Sequence, residues 1–346
     1  MSYRLSELKV DQPPQLLQGI ETDEQWAAKR ERIKRAWLEL LGEEPEIAPS
    51  AGTSPKPYEV IGKVEEADHT RLDIRYPAND GDTIGAYLLL PRDSSGEKTK
   101  RPAILALHPT AESGRRDTAT KEGRDNRRYG LELVSRGYVV LAPDSIGFGS
   151  RIYPGAVPFQ TAPFYERYPK WTAVGKMLSD HRRALDVLGA VEEADPARIG
   201  VIGHSLGGYN GWFLAGLDER VRAVVSSCGF AMFAGDPEPN RWGQREWFSH
   251  FPAVTKGLQK DTVPFEWHEI AALAAPVPLF MWSGMDDRIF PNAEAIVSGM
   301  KDLGTLYKRA GASEAFQFWL GAAGHDFPGQ ARELAYTFLD RWLGHQ

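Results

Sequence analysis

The chain has 346 residues, 42% of them hydrophobic and 25% charged, with a net charge of −6 at pH 7. That length carries a sizeable core, and the acidic balance argues against nucleic acid or an anionic membrane as the main partner. A single cysteine, Cys228, excludes an intrachain disulfide. The opening MSYRLSELKVDQPPQ holds no apolar run of signal-peptide length. No stretch reaches the roughly 18 apolar residues of a membrane span, so a cytoplasmic protein is the expectation.

Residues 22–42, TDEQWAAKRERIKRAWLELLG, read as an amphipathic helix. Thr22 is placed to cap it with Gln25 as capping-box partner. Trp26, Ile33, Trp37 and Leu41 recur at helical spacing, and Gly42 marks the stop. The Pro/Ser/Gly-rich EEPEIAPSAGTSPKP that follows reads as a linker. Residues 1–56 are therefore expected to form a helical extension, through which a homo-oligomer could assemble. Residues 57–346 form the main domain.

Within that domain, 58–64, 70–76 and TIGAYLLLP read as strands entering a sheet antiparallel. PAILALHP (102–109) is a nearly continuous apolar run, as in a buried strand. The pattern then predicts a helix over 122–136, a strand over 137–144, a helix over 171–192 and a strand over 197–203. A helix follows from LGGYNGWFLAGLD, then strands over 221–229 and 277–284, a helix over 292–308, a strand over 316–321 and a last helix over 330–343. Strands alternating with helices imply an α/β fold, with a mostly parallel sheet flanked by helices. Ligands in such sheets bind beyond the carboxyl ends of the strands. The alternation breaks at 230–276, a long aromatic segment expected to form a lid-like insertion over one sheet edge.

GHSLGG (203–208) sits between a buried strand and a helix. G-x-S-x-G in that setting is the nucleophile-elbow pattern. Ser205 would take a strained conformation exposing its hydroxyl, while Gly203 and Gly207 leave room for the bend. Leu206 N–H would face a developing oxyanion. No Lys or Arg falls within 203–212, which argues against a phosphate-binding turn. A serine needs a base and an orienting acid, and in this arrangement they follow it as acid, then histidine.

Of the downstream histidines, His345 is in the tail and His250 and His268 are in the insertion. His325, in the strand-end loop LGAAGHDFP, is the expected base. The acid comes from VPLFMWSGMDDRIFP. Spacing favours Asp287, with Asp286 the alternative. Asp326 adjoins His325 and is a poorer choice. The second oxyanion donor is expected from Thr110 N–H, since Pro109 has none, with Ala111 as fallback. His108 is expected either to shape the hole and contact substrate or to be a buried strand-end residue.

With these residues in place, the chain resembles the α/β-hydrolase superfamily, and within it dienelactone hydrolase-related and acetyl xylan esterase-like esterases. The resemblance rests on Trp26, Lys29 and Arg30, on AYLLLP, LHPT, APDSIGFGSR and GHSLGGYNGWFLAGLDERV, and on GHDFP. It implies a Ser-His-Asp hydrolase with no metal or organic cofactor, using Ser205, Asp287 and His325. Dienelactone hydrolase itself has Cys where this chain has Ser205. Acetyl xylan esterases usually have Gln where this chain has Leu206. Both differences bear on the substrate rather than the reaction class.

The expected activity is hydrolysis of a small-molecule carboxylic ester, with an acetyl group on a sugar or aromatic alcohol as a candidate. A peptidase or amidase of the same fold is the enzymatic alternative, and a non-hydrolytic small-molecule-binding protein the other. Phe230, Trp242, Trp247 and Trp267 are the candidate substrate-contacting aromatics, and 159–171 is a candidate second wall. Arg151 and Arg241 are expected to be structural ion pairs rather than substrate-binding groups.

Overall fold

The structure is a computed structural model describing residues 2–45, 57–92 and 100–345. Its strands are β1 (Tyr3–Arg4), β2 (Glu59–Glu65), β3 (His69–Pro77), β4 (Thr83–Pro91), β5 (Arg101–Leu107), β6 (Val139–Pro143), β7 (Ala194–His204), β8 (Val221–Ser227), β9 (Thr262–Val263), β10 (Leu279–Gly284) and β11 (Phe316–Gly321). Its helices are α1 (Asp23–Leu41), α2 (Arg116–Ala119), α3 (Tyr129–Ser135), α4 (Ala162–Arg167), α5 (Ala173–Ala190), α6 (Leu206–Ala215), α7 (Pro252–Leu258), α8 (Trp267–Ala271), α9 (Ala293–Arg309) and α10 (Gly329–Leu343).

Among the described residues, nine strands form one sheet in the order β11-β10-β8-β7-β5-β6-β4-β3-β2. From β6 to β11 every pairing is parallel, and β4, β3 and β2 join antiparallel. The expected antiparallel entry and parallel centre are both present. Strand order reverses around β5, whose successors lie on opposite sides, β6 on one and β7 on the other. A crevice opens at such a switch point. The central strands are buried on both faces. Leu105, Val201 and Val224 lie in one apolar cluster, and Ile104, Ile202 and Val225 in the other.

The helix over 22–42 forms as α1, and both capping-box hydrogen bonds between Thr22 and Gln25 are made. Gly42 ends it at φ +81°, where a Cβ would overlap the Lys170 carbonyl. The apolar face of α1 is used within the chain itself. Ile33 and Trp37 are fully buried, and Trp37 packs on Phe213, Phe251, Phe265 and Trp267. β1 adds a short antiparallel pairing with β9 of the insertion. The N-terminal segment is thus packed onto the insertion. The linker reading at 46–56 lies outside the described residues.

One element differs from expectation. The helix predicted over 122–136 starts only at Tyr129, after a single 3-10 turn at Asp125–Arg127. The preceding stretch is held by other bonds. Arg124 is clamped on Asp117, and a Cβ at Gly123 would overlap the Asp117 carbonyl. Arg127 extends to Asp326 at 2.8 Å.

The insertion is mostly packed interior. Glu266, fully buried, accepts hydrogen bonds from the N–H groups of Phe233, Ala234 and Trp267 at 2.7–3.0 Å. That one carboxylate fixes the entry and exit of the insertion against each other. Among the described residues no helix is long and apolar enough to cross a membrane.

Candidate active site

β7 ends at His204, and α6 begins at Leu206. Ser205 alone joins them, at φ +54° and ψ −115°. That region is nearly closed to a residue with a Cβ, and holding one there costs on the order of 1–3 kcal/mol. The two glycines of the motif permit the bend. A Cβ on Gly203 would overlap the Gly207 carbonyl, and one on Gly207 would overlap the Leu107 carbonyl. The Ser205 N–H donates to Ser227 O at 2.8 Å, which ties the bend to β8.

Asp287 follows β10, and His325 follows β11. Asp287 Oδ2 accepts from His325 Nδ1 at 2.8 Å. Asp287 Oδ1 accepts from the N–H groups of Ile289 at 2.7 Å and Phe290 at 3.0 Å. Asp287 is buried and Asp286 is exposed. The pairing therefore goes to Asp287, in agreement with the spacing. Burial pushes the Asp287 carboxyl upward, but its hydrogen bonds and the adjacent His325 outweigh this and hold it below the usual carboxylate value. With Nδ1–H donating to Asp287, His325 Nε2 has no hydrogen-bond partner among the described residues.

Ser205 and His325 both line one cavity of about 310 Å³. The Ser205 hydroxyl makes no hydrogen bond to His325 in this structure. Such contacts are often long without substrate and tighten on binding.

Thr110 also lines the cavity. Neither its N–H nor that of Leu206 has a hydrogen-bond partner among the described residues. His108 does not reach the cavity, which corrects the expectation that it contacts substrate. It is buried, its Nδ1–H donates to Pro109 O at 2.7 Å, and its Nε2 accepts from Ser145 N–H at 3.0 Å. It fixes the backbone just before Thr110, and burial keeps it neutral by lowering its pKa.

Of the four candidate aromatics, Trp242 and Trp247 line the cavity, and Phe230 and Trp267 do not. Phe230 packs on Trp212 behind α6. Trp267 is fully buried between Phe233, Trp242 and Phe265. Both are large rings on the core side of the insertion, where filling space outweighs contact with the crevice. Phe159 touches Trp247 edge-on and supports that wall from behind. Arg151 is buried between Asp180 at 2.7 Å and Asp82 at 2.5 Å. Arg241 is ion-paired to Asp236 at 2.7 Å, but it also borders the cavity.

Several other cavity residues had no role assigned from the sequence. Arg127 donates to His325 O at 3.0 Å as well as to Asp326, and so anchors the histidine loop. His204 stands 4.8 Å from the His325 ring, with its Nδ1 2.9 Å from Ser227 Oγ. Burial and the Arg127 charge hold its pKa well below that of a free histidine. Tyr209, one turn beyond Ser205, is 2.6 Å from His250 Nε2, and His250 Nδ1 faces Arg245 at 3.4 Å. The histidine signal at 250 was visible in the sequence, but its partners were not.

Cys228, Asp287 and His325 place one ligand atom each within 4.8 Å of one another. The Cys228 thiol is pushed up to about 12 by burial and by the Asp287 charge, so it stays protonated. The Asp–His hydrogen bond already uses the facing atoms of the other two. The donor set fits a hydrogen-bonded pair beside a neutral thiol better than a metal site.

A family model described as the alpha/beta hydrolase family matches residues 127–342, more than half of the chain. The chain belongs to the alpha/beta hydrolase family. YtaP of Bacillus subtilis (strain 168), which is named as a hydrolase, is 28% identical over 321 residues, covering 91% of this chain and 100% of that protein. A glucuronoyl esterase from Solibacter usitatus superposes with a TM-score of 0.70 at 19% identity, over 97% of this chain and 98% of that one. Acetyl xylan esterase 1 from Thermoanaerobacterium sp. JW/SL YS485 gives 0.58 at 17% identity, over 91% and 93%. At these identities the two solved structures establish a shared alpha/beta hydrolase fold.

Proposed function

We propose that this alpha/beta hydrolase is a serine carboxylic-ester hydrolase working through an acyl-enzyme on small esters. An acetyl group on a sugar or aromatic alcohol is the candidate acyl group. The observation that carries the reading is a serine in a left-handed strand-to-helix bend, sharing one cavity with a histidine whose Nδ1 is held by a buried aspartate. The structural neighbours named above, a glucuronoyl esterase and an acetyl xylan esterase, support the same reaction class.

In this scheme His325 Nε2 takes the Ser205 proton as Oγ attacks the ester carbonyl. Asp287 holds the tautomer and stabilises the imidazolium that forms. Leu206 and Thr110 N–H groups receive the oxyanion, each worth about 3 kcal/mol of barrier. His325 returns the proton to the leaving alkoxide, the alcohol departs, and water repeats the sequence on the acyl-enzyme.

The test is hydrolysis of 4-nitrophenyl acetate by the wild type and by Ser205→Ala, with a serine-directed phosphonate as a covalent probe. Turnover lost in the variant, and one phosphonate bound per wild-type chain, are expected. Folded wild-type protein inert toward short-chain esters would overturn the reading, as would Ser205→Ala retaining full turnover.

A further inference from the structure

The charge lining the cavity is lopsided. Arg124, Arg127, Arg241, Arg245 and Arg288 border it, against the single carboxylate of Glu238. Three of these arginines are already answered by carboxylates behind the wall. Arg124 pairs with Asp117 at 2.6 Å, Arg127 with Asp326 at 2.8 Å and Arg241 with Asp236 at 2.7 Å. Glu238 stands 3.9 Å from Arg241 with its side chain largely in solvent.

Arg245 and Arg288 have no carboxylate partner among the described residues. Arg288 is exposed at the rim, where water solvates it. Arg245 is half-buried, so its charge is only partly hydrated. Its fixed contacts are all neutral. Nε donates to Phe248 O at 3.0 Å, one Nη faces His250 Nδ1 at 3.4 Å, and the guanidinium lies 4.3 Å from the Trp247 ring centroid.

These contacts hold the guanidinium plane in one orientation and leave the other Nη without a partner among the described residues. His250 is neutral, because burial and the Arg245 charge itself drive its pKa well down, so it offers no counter-charge. Burial pulls Arg245 below the ordinary arginine value, and the charge of the nearby Glu238 carboxylate offsets this only in part. A partly desolvated cation is costly unless something anionic completes it. A planar carboxylate matches the edge of an oriented guanidinium.

Resting on the ester-hydrolase reading, we propose that the natural substrate carries a second, free carboxylate besides the scissile ester. Arg245 receives that carboxylate against Trp247, and Arg288 adds attraction at the rim. The cavity, at about 310 Å³, is the size of a small ester of this kind.

The test compares matched ester pairs that differ in one charge. Mono-4-nitrophenyl glutarate against 4-nitrophenyl pentanoate places the charge on the acyl side. 3-Acetoxyphenylacetate against its primary amide places it on the alcohol side. In at least one pair, kcat/KM for the anion should exceed that for the neutral partner by about tenfold or more, the effect of one charge-assisted hydrogen bond. The advantage should sit mainly in KM and shrink as salt rises.

Arg245→Met, which keeps the apolar stem on Trp247, should reduce the anion-to-neutral ratio in that pair by about the same factor. Arg288→Gln should reduce it less and make it less sensitive to salt. If Arg245→Met does not fold, the wild-type ratios and their salt dependence still decide the matter. Neutral esters hydrolysed as well as or better than anionic ones in both pairs would overturn the proposal and leave the ester-hydrolase reading standing. No hydrolysis of any of the four would instead remove that reading itself.

Discussion

Replacing Asp287 by Asn separates the orienting role of the carboxylate from its place in the fold. Asp287 Oδ1 accepts from the N–H groups of Ile289 and Phe290, and Oδ2 from His325 Nδ1. An asparagine seated on the same backbone donors keeps its amide oxygen toward Ile289 and Phe290 and turns its NH₂ toward His325. That donor demands an unprotonated Nδ1 and moves the imidazole proton to Nε2, the nitrogen that must accept from Ser205. The wrong tautomer, with loss of the charge that stabilises the imidazolium, costs about 10⁴ in kcat in a triad of this type. That is about 5.5 kcal/mol of barrier at 1.36 kcal/mol per decade.

Because both backbone bonds survive, the fold should be nearly unchanged. The measurement is kcat for 4-nitrophenyl acetate at pH 7.5, with circular dichroism and melting temperature as controls. Asp286→Asn serves as the partner variant, since Asp286 is exposed and does not contact the histidine. It should stay within about twofold of wild type, as expected for a surface change. A loss below tenfold in folded Asp287→Asn, or an equal loss in Asp286→Asn, would refute the assignment.

Ser205→Gly should abolish turnover yet stabilise the fold, because glycine occupies φ +54° without the Cβ penalty. Strain relief of about 1–3 kcal/mol exceeds the roughly 0.5–1 kcal/mol of extra unfolded-state entropy, so a melting temperature below that of wild type would count against a strained elbow. His181, fully buried on α5, has its pKa lowered from 6.5 to about 3 by burial, with the nearby Arg151 charge adding to the effect. Its depressed value means that the unfolded chain takes a proton first as pH falls below about 6.5. His181 therefore contributes stability that is complete above that pH and is lost toward pH 3, at up to about 1.4 kcal/mol per pH unit. His181→Leu should flatten the decline of melting temperature between pH 6.5 and 4.5, and parallel wild-type and variant profiles would exclude this contribution.

The three residues of the proposed triad were legible because each sits at a strand end and is marked by a local pattern. Gly203 and Gly207 flank the serine for a steric reason that spacing alone conveys. An acid after β10 and a histidine after β11 follow from the chain order of the sheet. The helix predicted over 122–136 failed at its first half for the opposite reason. What holds Arg127 there is Asp326, 199 residues away, and no periodicity near residue 127 reports that bond.

The same limit governs the cavity wall. Composition marks 230–276 as aromatic, but sorting those rings into wall and core depends on what α1, α6 and the buried Glu266 bring against them. Trp242 belongs to both groups. It packs on Tyr209 and Trp267 and is only 1% exposed, yet it still borders the cavity. Arg245 is the sharper case. In the sequence it is one arginine beside Gln244 and Glu246, the pattern of a solvated surface turn. It becomes a cation without a direct carboxylate partner only when Phe248, His250 and Trp247 close around it and Glu238 stays at a distance. A charge whose meaning lies in the partner it lacks leaves no trace in a linear pattern.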